Sequence, residues 1–322
     1  MQHSWLRAAL SATAMVALLA GIPAAQALDA RFKDANGDLV ADTPTDPKEQ
    51  VDPATLVFAY TPVEDPAVYA KVWQEFLDHM AKVTGKKIQF FPVQSNAAQI
   101  EAMRAGRLHV AGFNTGSNPL AVNCAGFVPF TMMASNTGAF GVSMEIITFP
   151  GSGIDKITDV KGKKMAFASE TSNSGFKAPS AILKEKFNLE VGKDVEAVFS
   201  GKHDNSILGV ANKDYPVAAV ASTVRGRMIA RNVVKADQFK VVYTSDPFPT
   251  TGYGYVYNLK PELQAKIKDA FYSFKWDGTL LLKEFQTSDP PGEKFVPITY
   301  KEHWQVVRDV DQALGIKYTC KG

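Results

Sequence analysis

The sequence predicts an α/β protein, and three observations carry that expectation. From Leu56 onward, apolar runs of strand length alternate with amphipathic helical patterns, as in a sheet covered by crossover helices. Two mid-chain strand–helix units end their strands in hydroxyl-, amide- or histidine-bearing residues. The 322 residues, 46% of them hydrophobic, are enough for one large or two medium cores.

The elements follow in order. Residues 56–60 read as a buried strand. Val68, Tyr69, Val72, Trp73, Phe76, Leu77, Met80 and Val83 then recur at helical spacing. Strands at 88–93 and 108–113 flank a helix over 97–105. A strand at 144–149 leads through Gly151 and Gly153 into the two mid-chain units. Residues 217–222 form a short strand before a helix carrying Arg225 and Arg227, and strands at 240–245 and 253–259 flank Pro247 and Pro249. Helices over 261–274 and 301–314 close the chain. Parallel pairing with right-handed crossovers is expected.

The mid-chain units carry the chemistry. The strand from Met165 ends before Ser172, Asn173, Ser174 and Gly175, and Pro179 confines the following helix to starting within about a turn of these residues, since proline lacks an N–H. The second strand ends near Ser200, and His203 begins a helix through Ile207, Leu208 and Ala211. Helix N-termini present unpaired N–H groups and partial positive charge, so added hydroxyls make an anion cradle. Both donor sets lie at the same end of their strands, where open α/β sheets bind ligands. Each junction alone also fits an ordinary N-cap. Together they imply a receptor for a small oxyanion, held by hydroxyl, amide and backbone donors without arginine.

The first residues carry a secretion signal: Arg7, a short apolar stretch over 8–20, and the small-x-small pattern Ala25-Gln26-Ala27. Cleavage after Ala27 leaves a mature chain exported to the periplasm. Residues 28–54 are a polar lead-in. Within it Asp34, Asn36, Asp38 and Asp42 space oxygens around Gly37 as a calcium loop could. No glutamate stands at the twelfth position of an EF-hand, and a solvated acidic loop is the favoured reading. The only two cysteines, Cys124 and Cys320, most simply form one disulfide in an oxidising compartment, two separate thiols being the alternative. Net charge is +2, with no basic block, so nucleic acid is not an expected partner. No nucleophile elbow, zinc-helix or P-loop motif is present, and His79, His109, His203 and His303 lack metal-ligand spacing. Neither catalysis nor a cofactor is expected, and the chain is expected to act as a monomer.

From Leu56 to Leu314 the chain resembles the phosphate/phosphite/phosphonate substrate-binding proteins of bacterial ABC transporters. The marks are Thr61-Pro62-Val63-Glu64-Asp65, the unit 93–106, the Ser172–Gly175 turn, the segment 200–204 with Val210-Ala211-Asn212, and the loop 247–251. The resemblance implies a type II periplasmic-binding-protein fold, with two α/β lobes joined by two crossing strands around a ligand cleft. The lobes would be 55–147 plus 252–322, and 148–251. It implies that Ser172, Asn173, Ser174 and His203 hold the ligand, with Asn96 and Asn118 where the family uses tyrosines. Thr223 and Thr251 would stand where relatives that bind amine-bearing phosphonates place carboxylates; Glu64, Asp65 or Asp204 could supply that charge instead. A membrane permease and ATPase would be the partners. An oxyanion sensor of the same fold, signalling to a membrane kinase, is the alternative.

Overall fold

The computed structural model describes residues 28–320, so the expected signal segment lies outside the described residues. The chain runs β1 (Thr55–Ala59), α1 (Pro66–Val72), α2 (Gln74–Thr84), β2 (Lys87–Phe90), α3 (Asn96–Arg104), β3 (Val110–Phe113), α4 (Asn118–Ala125) and β4 (Phe127–Ala134). After a connecting segment come β5 (Met144–Thr148), β6 (Lys164–Phe167), a π turn (Asn173–Lys177), α5 (Ala178–Phe187), β7 (Glu196–Phe199), α6 (His203–Ala211), β8 (Val217–Ala221), α7 (Ser222–Ala230) and β9 (Lys240–Thr244). A second connection returns to β10 (Gly252–Val256), α8 (Pro261–Ser273), α9 (Leu280–Phe285), β11 (Lys294–Pro297), α10 (Tyr300–His303) and α11 (Gln305–Ala313).

Two sheets result. The first has the order β11-β4-β10-β3-β1-β2, the second β7-β6-β8-β5-β9. Pairing is parallel within β2-β1-β3 and within β7-β6-β8, where helices cross over between strands. It is antiparallel wherever the chain has just passed between sheets, at β5 and β10, and at β4–β11. The sheets are therefore mixed rather than wholly parallel. β5 pairs Met144 with Ala221 and Glu145 with Thr244, so 144–147 belong with the second sheet and not, as expected from sequence, with the first. The connections are 135–143 and 245–251, bridged antiparallel at Val142 and Phe248.

Each sheet builds its own core. In the first lobe the fully buried Phe58, Trp73, Phe76, Tyr253 and Phe271 interlock, with ring centroids 4.7–6.1 Å apart. The second lobe packs Met144, Ile146, Met165, Phe167, Leu183, Val217 and Ala219 on one sheet face, and Ile147, Ala166, Ile207, Val210, Ala218 and Val220 on the other. The alternation along each strand follows from side chains pointing to opposite faces. Two expected helices are broken at buried tryptophans, Trp73 and Trp304. Trp304 leaves helical geometry where its indole Nε1 donates to the Thr115 carbonyl at 3.0 Å.

The lead-in is a bound strap. Its Ala41 is buried, and Val51 N–H donates to Asn258 O at 2.8 Å while Val51 O accepts from Lys260. In the 34–42 loop, Asp34 accepts from the amides of Asp38 and Leu39, and Asp42 from that of Ala35. Among the described residues no group of three or more His, Cys, Asp or Glu is placed to hold a metal ion. At the other end Cys124 and Cys320, 196 positions apart in sequence, are joined with their Cα atoms 5.3 Å apart. Such a crosslink is worth about 2–5 kcal/mol of stability, so Cys320→Ser should lower unfolding free energy by that order. Peptide mapping without reductant should recover the linked pair, and free thiols at both positions would contradict it.

Candidate functional site

The second lobe aims the starts of three helical segments toward the first. β6 ends and Ser172 caps the π turn, its Oγ accepting from the Gly175 amide at 3.0 Å. Lys177 N–H donates back to Ser172 O at 3.0 Å, and Ala178 N–H to Asn173 O, the i to i−5 bonds of a π turn. The amides of Asn173 and Ser174 head this turn, where no carbonyl of the same helix can reach them. β7 leads to His203 at the start of α6, and β8 to Thr223 in the first turn of α7.

The tautomer of the histidine is set by one hydrogen bond. The Ala221 amide, which can only donate, gives its proton to His203 Nδ1 at 3.1 Å. The neutral ring therefore carries its hydrogen on Nε2, which stands 3.2 Å from Ser172 Oγ and donates to it. Ser172 Oγ then accepts from both Gly175 and His203, leaving its own hydroxyl proton to donate elsewhere. His203 is 5% exposed, and burial holds its pKa at about 4, below the usual 6.5. Gly175 makes the meeting possible: a Cβ there would lie 2.6 Å from Ala168 Cβ, 2.7 Å from Ser172 Oγ and 3.0 Å from His203 Cε1.

These groups wall a small cavity of about 60 Å³ between the lobes. Ser172, Asn173, Ser174 and His203 line it from the second lobe with Thr223 and Arg227, and Thr250 and Thr251 line it from the second connection. The first lobe contributes Tyr60 from the end of β1, Asn114 and Thr115 after β3, and Tyr253. Gly175 lies just behind this wall.

Asn96 and Asn118, the expected first-lobe contacts, do not line the cavity. Asn96 opens α3 and spends its amide on Thr171 across the cleft, 2.9 Å away, while its oxygen accepts from Asn114 Nδ2 at 3.0 Å. Asn118 is fully buried in the first turn of α4, against Gly252 and Trp304. A tyrosine does stand in the wall: Tyr60, whose hydroxyl burial keeps protonated by raising its pKa to about 12.

The expectation of a site without arginine also needs correction. Arg227, 4% exposed, reaches the wall with its guanidinium held by Glu64 and Glu284. Arg231 pairs with the same two carboxylates, and Tyr69 bonds to Glu64. Two arginines against two glutamates leave this cluster formally neutral. Glu64 is thus committed to arginine, and Asp204 accepts from the Asp65 amide at 3.2 Å. Among the described residues lining the cavity, none is Asp or Glu. The other histidines among the described residues bond to their own surroundings: His109 Nδ1 accepts from the Val57 amide, His79 bonds to Ser273, and His303 Nδ1 accepts from the Thr299 amide.

A two-lobed α/β molecule with a donor-rich and carboxylate-free cavity between its lobes, at its helix N-termini, is a solute receptor. Residues 58–304 match the family described as ABC transporter, phosphonate, periplasmic substrate-binding protein, and the chain belongs to that family. It is 28% identical over 286 residues to the phosphate-import protein PhnD of Mycolicibacterium smegmatis, covering 84% of this chain and 88% of that one. It is 26% identical over 206 residues to the phosphonates-binding periplasmic protein of Escherichia coli, 63% of this chain and 61% of that one. Its fold is that of a binding component of an ABC phosphonate transporter from Pseudomonas aeruginosa, with TM-score 0.72 and 23% identity over 81% of this chain and 86% of that one. PhnD1 of Prochlorococcus marinus, solved with methylphosphonate, superposes with TM-score 0.72 at 15% identity, over 82% and 99% of the two chains. These neighbours share the type II two-lobed fold.

Two outcomes test the geometry. Gly175→Ala should cost about 1–3 kcal/mol, because its methyl must displace Ser172 or Ala168. For His203, the unfolded chain takes up a proton near pH 6.5 and the folded chain only near pH 4. Its contribution to stability is therefore full above pH 6.5 and falls as pH drops toward 4, by up to about 3 kcal/mol. Urea unfolding should show the stability of wild type relative to His203→Gln declining over that window; a constant difference would contradict a buried neutral ring.

Proposed function

We propose that this protein is the periplasmic solute-binding component of an ABC importer. As a monomer it captures a small phosphorus oxyanion (a phosphonate, phosphite or phosphate) and delivers it to a membrane permease and ATPase. The mature chain begins after Ala27 and turns nothing over. The observation that carries this reading is the convergence of Ser172, Asn173, Ser174 and neutral His203 on one small cavity. The names of the mycobacterial, enterobacterial and cyanobacterial relatives support it.

The ligand head would sit on the Asn173 and Ser174 amides with the hydroxyls of Ser172 and Ser174, while His203 orients Ser172. Hydrogen bonds to a charged group contribute about 1.5–3 kcal/mol each, so these four donors, joined by one or two threonine hydroxyls of the wall, support micromolar or tighter binding after ordering costs. Thr223 and Thr251 offer dipoles and no charge to a substituent.

Calorimetry with phosphate, phosphite, methylphosphonate, sulfate and nitrate tests this. Binding of a phosphorus species is expected, and tight sulfate or nitrate binding with none of these would sink the proposal. His203→Ala should weaken binding by about 2 kcal/mol with the fold intact, because Ser172 loses the donor that frees its proton inward. 2-Aminoethylphosphonate should bind about tenfold more weakly than methylphosphonate, since its ammonium would be buried without a partner. A preference for the aminated ligand in competition titration would show that a carboxylate reaches the cavity.

A further inference from the structure

A second ionic contact crosses the cleft away from the cavity. Lys177, the last residue of the π turn and 4% exposed, places Nζ 2.9 Å from Asp311 Oδ1 and 3.1 Å from Oδ2. The same ammonium donates to the Gly116 carbonyl at 2.9 Å. Asp311, 1% exposed, lies on α11, which packs Val307 into the first-lobe core and Val310 against the second, and it also accepts from the Tyr318 hydroxyl at 2.9 Å. The backbones meet closely here: a Cβ at Gly116 would lie 2.3 Å from Thr171 O and 2.4 Å from Asn173 N. Neither Lys177 nor Asp311 lines the cavity.

If α11 stays with the first-lobe core through Val307 and Trp304 when the cleft opens, the ammonium and the carboxylate part and face water. Closure dehydrates both, which is tolerable only when geometry and supporting hydrogen bonds are good. Gly116 O and Tyr318 provide that support. Removing one partner leaves the other charge buried alone in the closed state, while leaving the open state nearly untouched. The Arg227–Arg231–Glu64–Glu284 cluster spans the cleft too, but Arg227 forms part of the cavity wall, so its effects on closure and on contact are mixed.

We propose that Lys177 and Asp311 are a latch: positioning residues that set how readily the cleft closes, and so the affinity for every ligand, without selecting among ligands. The proposal rests on the cavity being the ligand site. If only the closed form holds ligand, apparent affinity scales with the closed fraction, and every ligand is affected by one common factor. A residue that touches ligand shifts different ligands by different factors. Uniformity is therefore the signature of a latch.

The test titrates methylphosphonate and inorganic phosphate into wild type, Asp311→Asn, Lys177→Met and the double variant Lys177→Met/Asp311→Leu, with unliganded thermal unfolding as the folding control. Each single variant should weaken both ligands by about tenfold or more, with the ratio between ligands preserved within about twofold. The double variant should recover much of the loss, because no unpaired charge remains to be buried. Singles that bind as wild type does, a changed ligand ratio, or a double variant carrying the product of both losses would each overturn the latch. Should a single variant fail to fold, Tyr318→Phe removes one bond to Asp311 and nothing from the cavity. It should give a smaller but equally uniform loss, and unchanged affinity there would overturn the proposal. Wild type that binds neither ligand overturns the site reading along with the latch; wild type that binds, with variants matching it, overturns the latch alone.

Discussion

The bond from the Ala221 amide to His203 Nδ1 is the constraint from which the site's donor pattern follows. It comes from the end of β8, so the sheet itself selects the tautomer. With Nδ1 occupied as an acceptor, Nε2 must donate, and its neighbour is Ser172 Oγ. That oxygen already accepts from Gly175, so the serine proton is released toward the cavity. Burial keeps the ring neutral, and a protonated ring would lose the Ala221 bond. The absence of a Cβ at Gly175 lets the hydroxyl, the ring and Ala168 stand within contact distance. The end of a central strand, a helix start and a turn are thereby locked into one arrangement.

The surrounding architecture makes that arrangement suited to anions without placing a naked cation beside them. β6, β7 and β8 all end at the cleft, so the helical segments that follow point their N-terminal ends toward the same space. The one guanidinium in the wall is matched by two glutamates that it shares with Arg231. Attraction for an anion then rests on oriented amides and hydroxyls, which need little reorganisation when a ligand arrives. The antiparallel strands β5 and β10 bring the chain back between lobes, and the connections beside them put Thr250 and Thr251 into the wall.

Much of this was legible in the residues, and the misses have physical causes. The Ser172–Gly175 turn could be read because Pro179 limits where a helix can begin and because strand-forming residues precede it. His203 could be read as a helix start, but its partner Ala221 lies 18 residues on, and nothing in the local pattern signals that bond. Asn96 and Asn118 stand by resemblance where the family uses tyrosines, but a shared position near the cleft does not fix where a shorter amide turns: Asn96 bonds to Thr171 and Asn114, and Asn118 is buried near Gly252. Tyr60 carried a usable signal, an aromatic with a polar tip at the very end of a buried strand. Arg227 carried none, since a lone arginine on an amphipathic helix looks the same whether solvated or buried against glutamates. The antiparallel placement of β5 and β10 depends on contacts between segments about 70 or more residues apart, which strand–helix alternation cannot report.

The central claim is that the cavity built around His203 and the Ser172 turn holds a phosphorus oxyanion. The most direct measurement is phosphorus-31 NMR, with mass spectrometry, on the small molecules released when native periplasmic protein is denatured after purification without added phosphate. The account predicts a phosphorus resonance from an orthophosphate, phosphite or phosphonate, approaching one equivalent per chain in wild type and falling in His203→Ala. Release of a phosphorus-free carboxylate or amino acid at one equivalent, with no phosphorus signal, would contradict it.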